Sequence, residues 1–163
     1  MSETYKAICT PIGPLTIGVT DTAVTSLSFG TLRATSNTRA ATESEQRVID
    51  SCAEQLAEYF AGARKSFDIP LSPSGTTFQQ SVWTELRKIP YGTTINDGEQ
   101  ARRIGKPHAS RAVGAANGKN PIAIIVPCHR VVGASGRLTG FAGGVEMKKA
   151  LLDLEFEHTT IFS

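Results

Sequence analysis

The sequence predicts an α/β segment followed by a mainly helical one, within 163 residues. Three observations carry this. Apolar residues alternate with period two between Tyr5 and Phe29, the spacing of half-buried strands. They recur at helical spacing from Val48 to Phe60 and again from Phe78 to Ile89. Between these regions lies the loop-like stretch Leu71-Ser72-Pro73-Ser74-Gly75, where the charge balance also changes sign. Residues 1–75 hold 6 basic and 8 acidic side chains, a net of −2, whereas residues 76–163 hold 11 and 7, a net of +4. The boundary is therefore set at Gly75, giving domains 1–75 and 76–163 in a chain long enough for two small ones.

In the first domain Tyr5, Ala7 and Cys9 alternate, and Pro11-Ile12-Gly13-Pro14 is turn chemistry. Leu15, Ile17 and Val19 form a second strand and Val24–Phe29 a third. Thr42-Glu43-Ser44-Glu45 is a capping-box pattern, after which Val48, Cys52, Leu56, Tyr59 and Phe60 share one helical face until Gly62 stops it. Cys9 and Cys52 both read as packing residues. In the second domain Thr77, with Gln80 three positions on, is the expected cap of a helix whose apolar stripe is Phe78, Val82, Leu86 and Ile89, with Trp83 at its edge. Asn96-Asp97-Gly98-Glu99 introduces a short polar helix, Gly105-Lys106-Pro107 breaks it, and residues 108–117 form the next. Helix, three-residue break, helix is compatible with a helix-turn-helix. The second of the pair is nearly bare, with Ala109, Ala112, Gly114, Ala115 and Ala116 around one long cation, Arg111. Ile122–Val126 reads as a buried strand, and a last helix begins near Glu146 with Met147, Ala150, Leu151 and Leu154 on one face.

Composition removes several classes. Seventeen basic and 15 acidic residues leave a net charge of only +2, and 40% of residues are apolar, as in ordinary globular proteins. No apolar run approaches the roughly 18 residues of a membrane span, and Met1–Lys6 lacks the apolar core of a secretory signal. Three widely spaced cysteines argue against a disulfide framework and for a reducing, cytoplasmic setting; without a Cys-x-x-Cys pair, no structural metal is expected. The small net charge is an average. Between 102 and 137 seven basic residues occur with no acidic one, a stretch suited either to phosphate or simply to solvent.

The chemistry centres on Pro127-Cys128-His129-Arg130-Val131-Val132. A thiol beside an imidazole and a cation is poised for thiolate chemistry, although a structural cysteine fits the spacing as well. Neighbouring side chains in extended chain face apart, so His129 would reach Cys128 through a turn or a bridging water.

These residues resemble the active-site motif of the O6-alkylguanine-DNA alkyltransferases. Further segments follow in family order: Thr10–Thr16, Thr77-Phe78-Gln79-Gln80 with Val82-Trp83, Ile89–Gly92, Ser110–Gly114 and Gly140-Phe141-Ala142-Gly143-Gly144. The resemblance spans essentially the whole chain. It implies a small amino-terminal α/β domain of ribonuclease H-like type and a mostly helical domain with a helix-turn-helix. It also implies direct reversal of DNA damage, in which the alkyl group of O6-alkylguanine in duplex DNA passes irreversibly, once, to Cys128. His129 would draw the thiol proton through a water, Glu155 would orient His129, and Asn120 would tie the recognition helix to the active-site strand. Base chemistry inside a duplex requires the nucleotide to be extruded. Arg111 would take its place from the minor groove, with Ala109, Ala112, Gly114, Asp97 and Arg137 at the DNA. Val131, Phe141, Ala142 and Gly143 would line the base pocket. No cofactor, metal, membrane or obligate protein partner is implied.

Three positions depart from the family pattern. Asp97 stands where a tyrosine that contacts phosphate is common, and Phe141 occupies another common tyrosine position; Gln100, too, replaces a usual apolar residue. The expectation is retained acceptor chemistry with weaker DNA binding or slower transfer. Two other functions fit the same residues: a non-catalytic alkylated-DNA binding or signalling protein, against which the retained Cys128 argues, and a cysteine hydrolase, which would turn over.

Overall fold

The protein is described by a computed structural model covering residues 3–31, 40–138, 140–141 and 143–160. It divides into two compact units, Met1–Ser74 and Gly75–Ser163.

In the first unit β1 (Thr4–Thr10), β2 (Gly13–Thr20) and β3 (Ala23–Phe29) form an antiparallel meander in the order β1-β2-β3. The first hairpin closes over two residues, with Thr10 opposite Gly13, because Gly13 takes φ +105° and the Thr10 hydroxyl donates to its carbonyl at 2.6 Å. Helix α1 (Glu43–Phe60) covers the sheet. Thr42 caps it through the foreseen box: its side chain accepts from Glu45 N, and Glu45 accepts from Thr42 N at 3.0 Å. Glu45 is itself buried and also accepts from Thr4 Oγ1 at 3.0 Å, so the cap doubles as a strut to β1. Leu15, Ile17, Val19, Val24 and Leu27 from the sheet, with Ile49, Cys52, Leu56 and Tyr59 from α1, make the core.

Cys52 packs as expected, but Cys9 does not. It is exposed, because the buried residue of β1 is Thr4 and Cys9 faces outward near the strand's end. Burial pushes the Cys52 thiol up to about 12. Native-state treatment with iodoacetamide is therefore expected to label Cys9 and to spare Cys52 until denaturant is added. Peptide mapping by mass spectrometry reads this; labelling of both at equal rates would contradict the packing.

The second unit contains α2 (Thr77–Leu86), α3 (Asp97–Arg103), α4 (Ser110–Gly118) and α5 (Val145–Thr160). A 3₁₀ turn, Cys128–Arg130, and a short parallel pair, β4 (Ile95–Asn96) with β5 (Val131–Val132), complete it. Thr76, not Thr77, caps α2, accepting from Gln79 N at 3.1 Å. Thr76/Gln79 and Thr77/Gln80 are overlapping boxes one residue apart, and only the backbone distinguishes them. Trp83 is more deeply placed than an edge position: it is 2% exposed, and its indole donates to Ala116 O at 2.8 Å, satisfying a carbonyl at the end of α4.

Ile122–Val126 is not a strand. These residues form a buried chain of turns, with Ile124 at φ +71° and bonds from Ile125 N to Ala123 O and Val126 N to Ile122 O. Asn120 supports the loop from both ends, accepting from Ile122 N at 3.0 Å and donating to Val126 O at 2.8 Å. The apolar run reports burial on all sides, which a tightly turned loop satisfies as well as a strand does. Cys128 consequently sits in a 3₁₀ turn after a loop, not at a strand end.

Among the described residues no helix is long and apolar enough to cross a membrane, and no three His, Cys, Asp or Glu side chains are grouped to hold a metal ion.

Candidate active site

Pro127 opens the 3₁₀ turn, which takes the chain out of the extended conformation in which neighbouring side chains face apart. Cys128, His129 and Arg130 are all buried.

His129 and Arg130 converge on one carboxylate. Glu155, on α5, takes a 2.6 Å contact from His129 Nε2 and bonds from Arg130 Nε at 2.8 Å and Nη2 at 3.0 Å. It also accepts from the backbone N–H of Gly92 at 3.1 Å. Gly92 adopts φ +77°, and a Cβ there would run into Thr159, so only glycine brings that amide to the carboxylate. The remaining Arg130 arm donates to Ile89 O at 2.8 Å, and its guanidinium lies 5.7 Å from the centre of the Tyr91 ring. Hydrogen bonds from His129 and Arg130, with the charge of Arg130, hold the Glu155 carboxyl far below the ordinary range despite its burial. Burial pushes His129 below its usual value although Glu155 pulls it up. The pair is thus a carboxylate and a neutral imidazole. A carboxylate can only accept, so Nε2 carries the imidazole proton and Nδ1 presents the lone pair. Nδ1 is buried and has no hydrogen-bond partner among the described residues. It is the basic atom of the site.

Cys128 is 8% exposed. Asn120 Nδ2 donates to its sulfur at 3.3 Å. Burial pushes the thiol up, while this hydrogen bond and the charge of Lys148 pull it down. At rest it is a thiol that needs a base. Above it opens a cavity of about 250 Å³ lined by Asp97, Gly114, Asn117, Cys128, Val131, Gly140 and Lys148. Helices α3, α4 and α5, the reactive turn and the loop before α5 each contribute to it.

The structure thus pairs Asn120 with Cys128 and Glu155 with His129 around the reactive turn, and places Asp97, Gly114 and Val131 on the cavity. Phe141 and Gly143 are partly buried in the loop before α5 and are not among the cavity's described lining, while Ala142 lies outside the described residues. Arg111 and Ala112 are exposed on α4, Ala109 precedes its first turn, and Arg137 is exposed beyond β5. Arg130 proves to be a structural anchor.

Lys148 escaped the sequence reading. It is 2% exposed and lines the cavity. A signal existed: Lys148, Leu151 and Glu155 stand at i, i+3 and i+7, so one α5 stripe carries both charges inward. Gln100 is the other surprise. Fully buried, it exchanges two 2.8 Å bonds with Asn117, tying α3 to α4 and fixing a residue of the cavity wall. An amide closed on another amide occupies an apolar position without an unmet polar group.

A family model described as 6-O-methylguanine DNA methyltransferase, DNA binding domain, matches residues 77–157, and one described as the ribonuclease-like domain of the same protein matches residues 4–73. A methylated-DNA–protein-cysteine methyltransferase of Methanosarcina acetivorans is 46% identical over 93% of this chain and 97% of its own. One from Mycobacterium bovis is 50% identical over 93% of this chain and 91% of its own. Among solved structures, the O6-methylguanine methyltransferase of Mycobacterium tuberculosis matches with a TM-score of 0.84 at 45% identity, covering 99% of this chain and 100% of that one. A structure of Mycobacterium tuberculosis OGT in complex with DNA matches with a TM-score of 0.82 at 44% identity, covering 98% and 99%.

Proposed function

This chain belongs to the 6-O-methylguanine DNA methyltransferase family, and from that premise we propose that it repairs DNA by direct reversal, moving the alkyl group of O6-alkylguanine onto its own Cys128 in a single turnover. The observation that carries the proposal is the buried Cys128 beneath a cavity, followed in the chain by His129, whose Nε2 is held by Glu155 at 2.6 Å.

The chemistry balances within these groups. His129 Nδ1 takes the Cys128 proton through one bridging water, and Asn120 steadies the sulfur. The thiolate attacks the alkyl carbon in line, an S–C bond forms, and the C–O6 bond breaks with its electron pair moving to guanine. The proton removed from the thiol is the one guanine needs, so neither cofactor nor net proton is required. The thioether has no hydrolysable bond, which makes the step terminal.

The DNA-facing role falls to α3 and α4 acting as a helix-turn-helix. Arg111 occupies the space of the extruded nucleotide, and Ala112 and Ala115, exposed beside it, let α4 enter a narrow groove. Arg137 meets phosphate, and Val131 lines the base pocket. The amino-terminal unit is the ribonuclease H-like partner domain, 1–75, of a DNA-binding and acceptor domain, 76–163. The retained acceptor network favours transfer over the binding-only alternative.

Intact-mass measurement tests the proposal. Incubation with a duplex containing O6-methylguanine is expected to add one methyl group per chain, located on Cys128, and none in Cys128→Ala. Absence of an adduct after prolonged incubation would overturn it, and repeated release of product would point to a hydrolase.

A further inference from the structure

Three ionisable groups from three elements share the cavity: Asp97 at the start of α3, Lys148 on α5, and the Cys128 thiol. Lys148 is 2% exposed, and an ammonium so deeply placed is tolerated only with anionic partners. Burial pushes it below the usual lysine value, and Cys128 and Asp97 are the groups that push it back up. In return Lys148 pulls both of them down, each against its own desolvation. The other charged groups around the reactive turn are committed elsewhere, since Glu155 is neutralised by Arg130 and shared with His129. Asn120 on the sulfur and Asn117 on the wall are neutral.

We propose that Asp97 is a positioning residue for the acceptor: it competes with the Cys128 thiolate for the Lys148 ammonium and so restrains ionisation of the thiol. With the thiol protonated, carboxylate and ammonium neutralise each other in the cavity. Ionising Cys128 sends its proton to His129 and leaves one cation between two anions. Without the carboxylate, the thiolate no longer shares the ammonium with it. The restraint has a use in a protein whose reagent is spent once, because a permanently ionised thiol would be consumed by any small electrophile. The inference rests on Cys128 as the alkyl acceptor, but its test needs no DNA.

The test is the pH profile of Cys128 carbamidomethylation by iodoacetamide on the full chain, read by peptide mass spectrometry. Iodoacetamide is small and neutral, so its rate follows the thiolate fraction. In Asp97→Asn the midpoint is expected to move to lower pH, with the rate below the midpoint rising about tenfold for each unit moved. In a Lys148→Gln background the same replacement is expected to move the midpoint less, because no ammonium is left for the two anions to share and only their direct repulsion is relieved. A midpoint that stays or rises in Asp97→Asn, or an equal downward shift in both backgrounds, would overturn the proposal. Asp97→Ser repeats the measurement should Asp97→Asn fold poorly, with Trp83 fluorescence as the check. Methyl transfer from an O6-methylguanine duplex is followed alongside. Normal transfer with an unmoved iodoacetamide profile defeats this inference alone, whereas no transfer by the unaltered chain defeats the acceptor reading.

Discussion

Glu155→Gln is expected to destabilise the carboxy-terminal unit by about 3–5 kcal/mol, the usual cost of leaving one member of a buried ion pair alone. Glutamine keeps the shape and can still accept from His129 Nε2. It cannot neutralise Arg130, which is buried at 6% exposure with its guanidinium directed at Glu155 and Ile89 O. It also presents an N–H₂ to donors that need an acceptor, among them the Gly92 amide. The chain's single tryptophan, Trp83, lies in this unit at 2% exposure, so its fluorescence reports the unfolding transition in urea directly. Transfer should slow as well, because the carboxylate raises the basicity of His129 and fixes which nitrogen carries the proton.

The pH dependence of the same variant carries a sign that can be worked out. The folded Glu155 carboxyl lies far below its unfolded value of about 4.3, so its contribution is fully present above that value and drains as pH falls toward the folded one. His129 is depressed from about 6.5, so below that pH the unfolded chain takes up a proton that the folded one refuses. Both groups therefore make the unaltered unit less stable in acid. In Glu155→Gln the loss below about pH 4.3 is expected to flatten. A variant with the parent's urea midpoint and acid profile would show that Arg130, not the carboxylate, organises the site.

How far the site could be read in advance depended on whether its signal was local. Cys128, His129 and Asn120 stand within ten residues in one recognisable segment, and Thr42/Glu45 declares a cap by spacing alone. Glu155 came only through resemblance, since nothing local in α5 marks a carboxylate aimed at a turn 25 residues earlier. At Ile122–Val126 the continuous apolar run records burial and is silent on backbone path; the information lies in Asn120, whose side chain closes the loop at both ends. The α2 cap was off by one because both threonines have a glutamine three positions on. Lys148 hid because a lysine on a helix with Lys149 and Glu146 beside it reads as solvated surface, although its phase with Leu151 and Glu155 placed it inward. Cys9 shows the converse: an alternating strand near a sheet edge does not bury every member of its pattern.

Arg111→Ala is expected to slow transfer from duplex DNA by roughly a hundredfold while leaving transfer from the free O6-benzylguanine base unchanged. Extruding a nucleotide costs a few kcal/mol, and each 1.4 kcal/mol is about tenfold. A side chain that fills the vacated stack offsets part of that cost, and a free base never incurs it. Arg111 is exposed on α4 and makes no hydrogen bond or ion pair among the described residues, so its removal should not move the urea midpoint. Lysine at this position separates two roles that alanine conflates. A phosphate contact needs charge, which Arg111→Lys supplies, and in Arg111→Ala the slope of log affinity against log salt would fall by about one. Stacking in place of a base needs the planar guanidinium, which lysine lacks. A filler of the stack therefore predicts that Arg111→Lys stays slow on duplex DNA while binding it with nearly the parent salt dependence. Full rescue by lysine would reassign Arg111 to the backbone, and equal slowing on duplex and free base would place its role in the fold of α4.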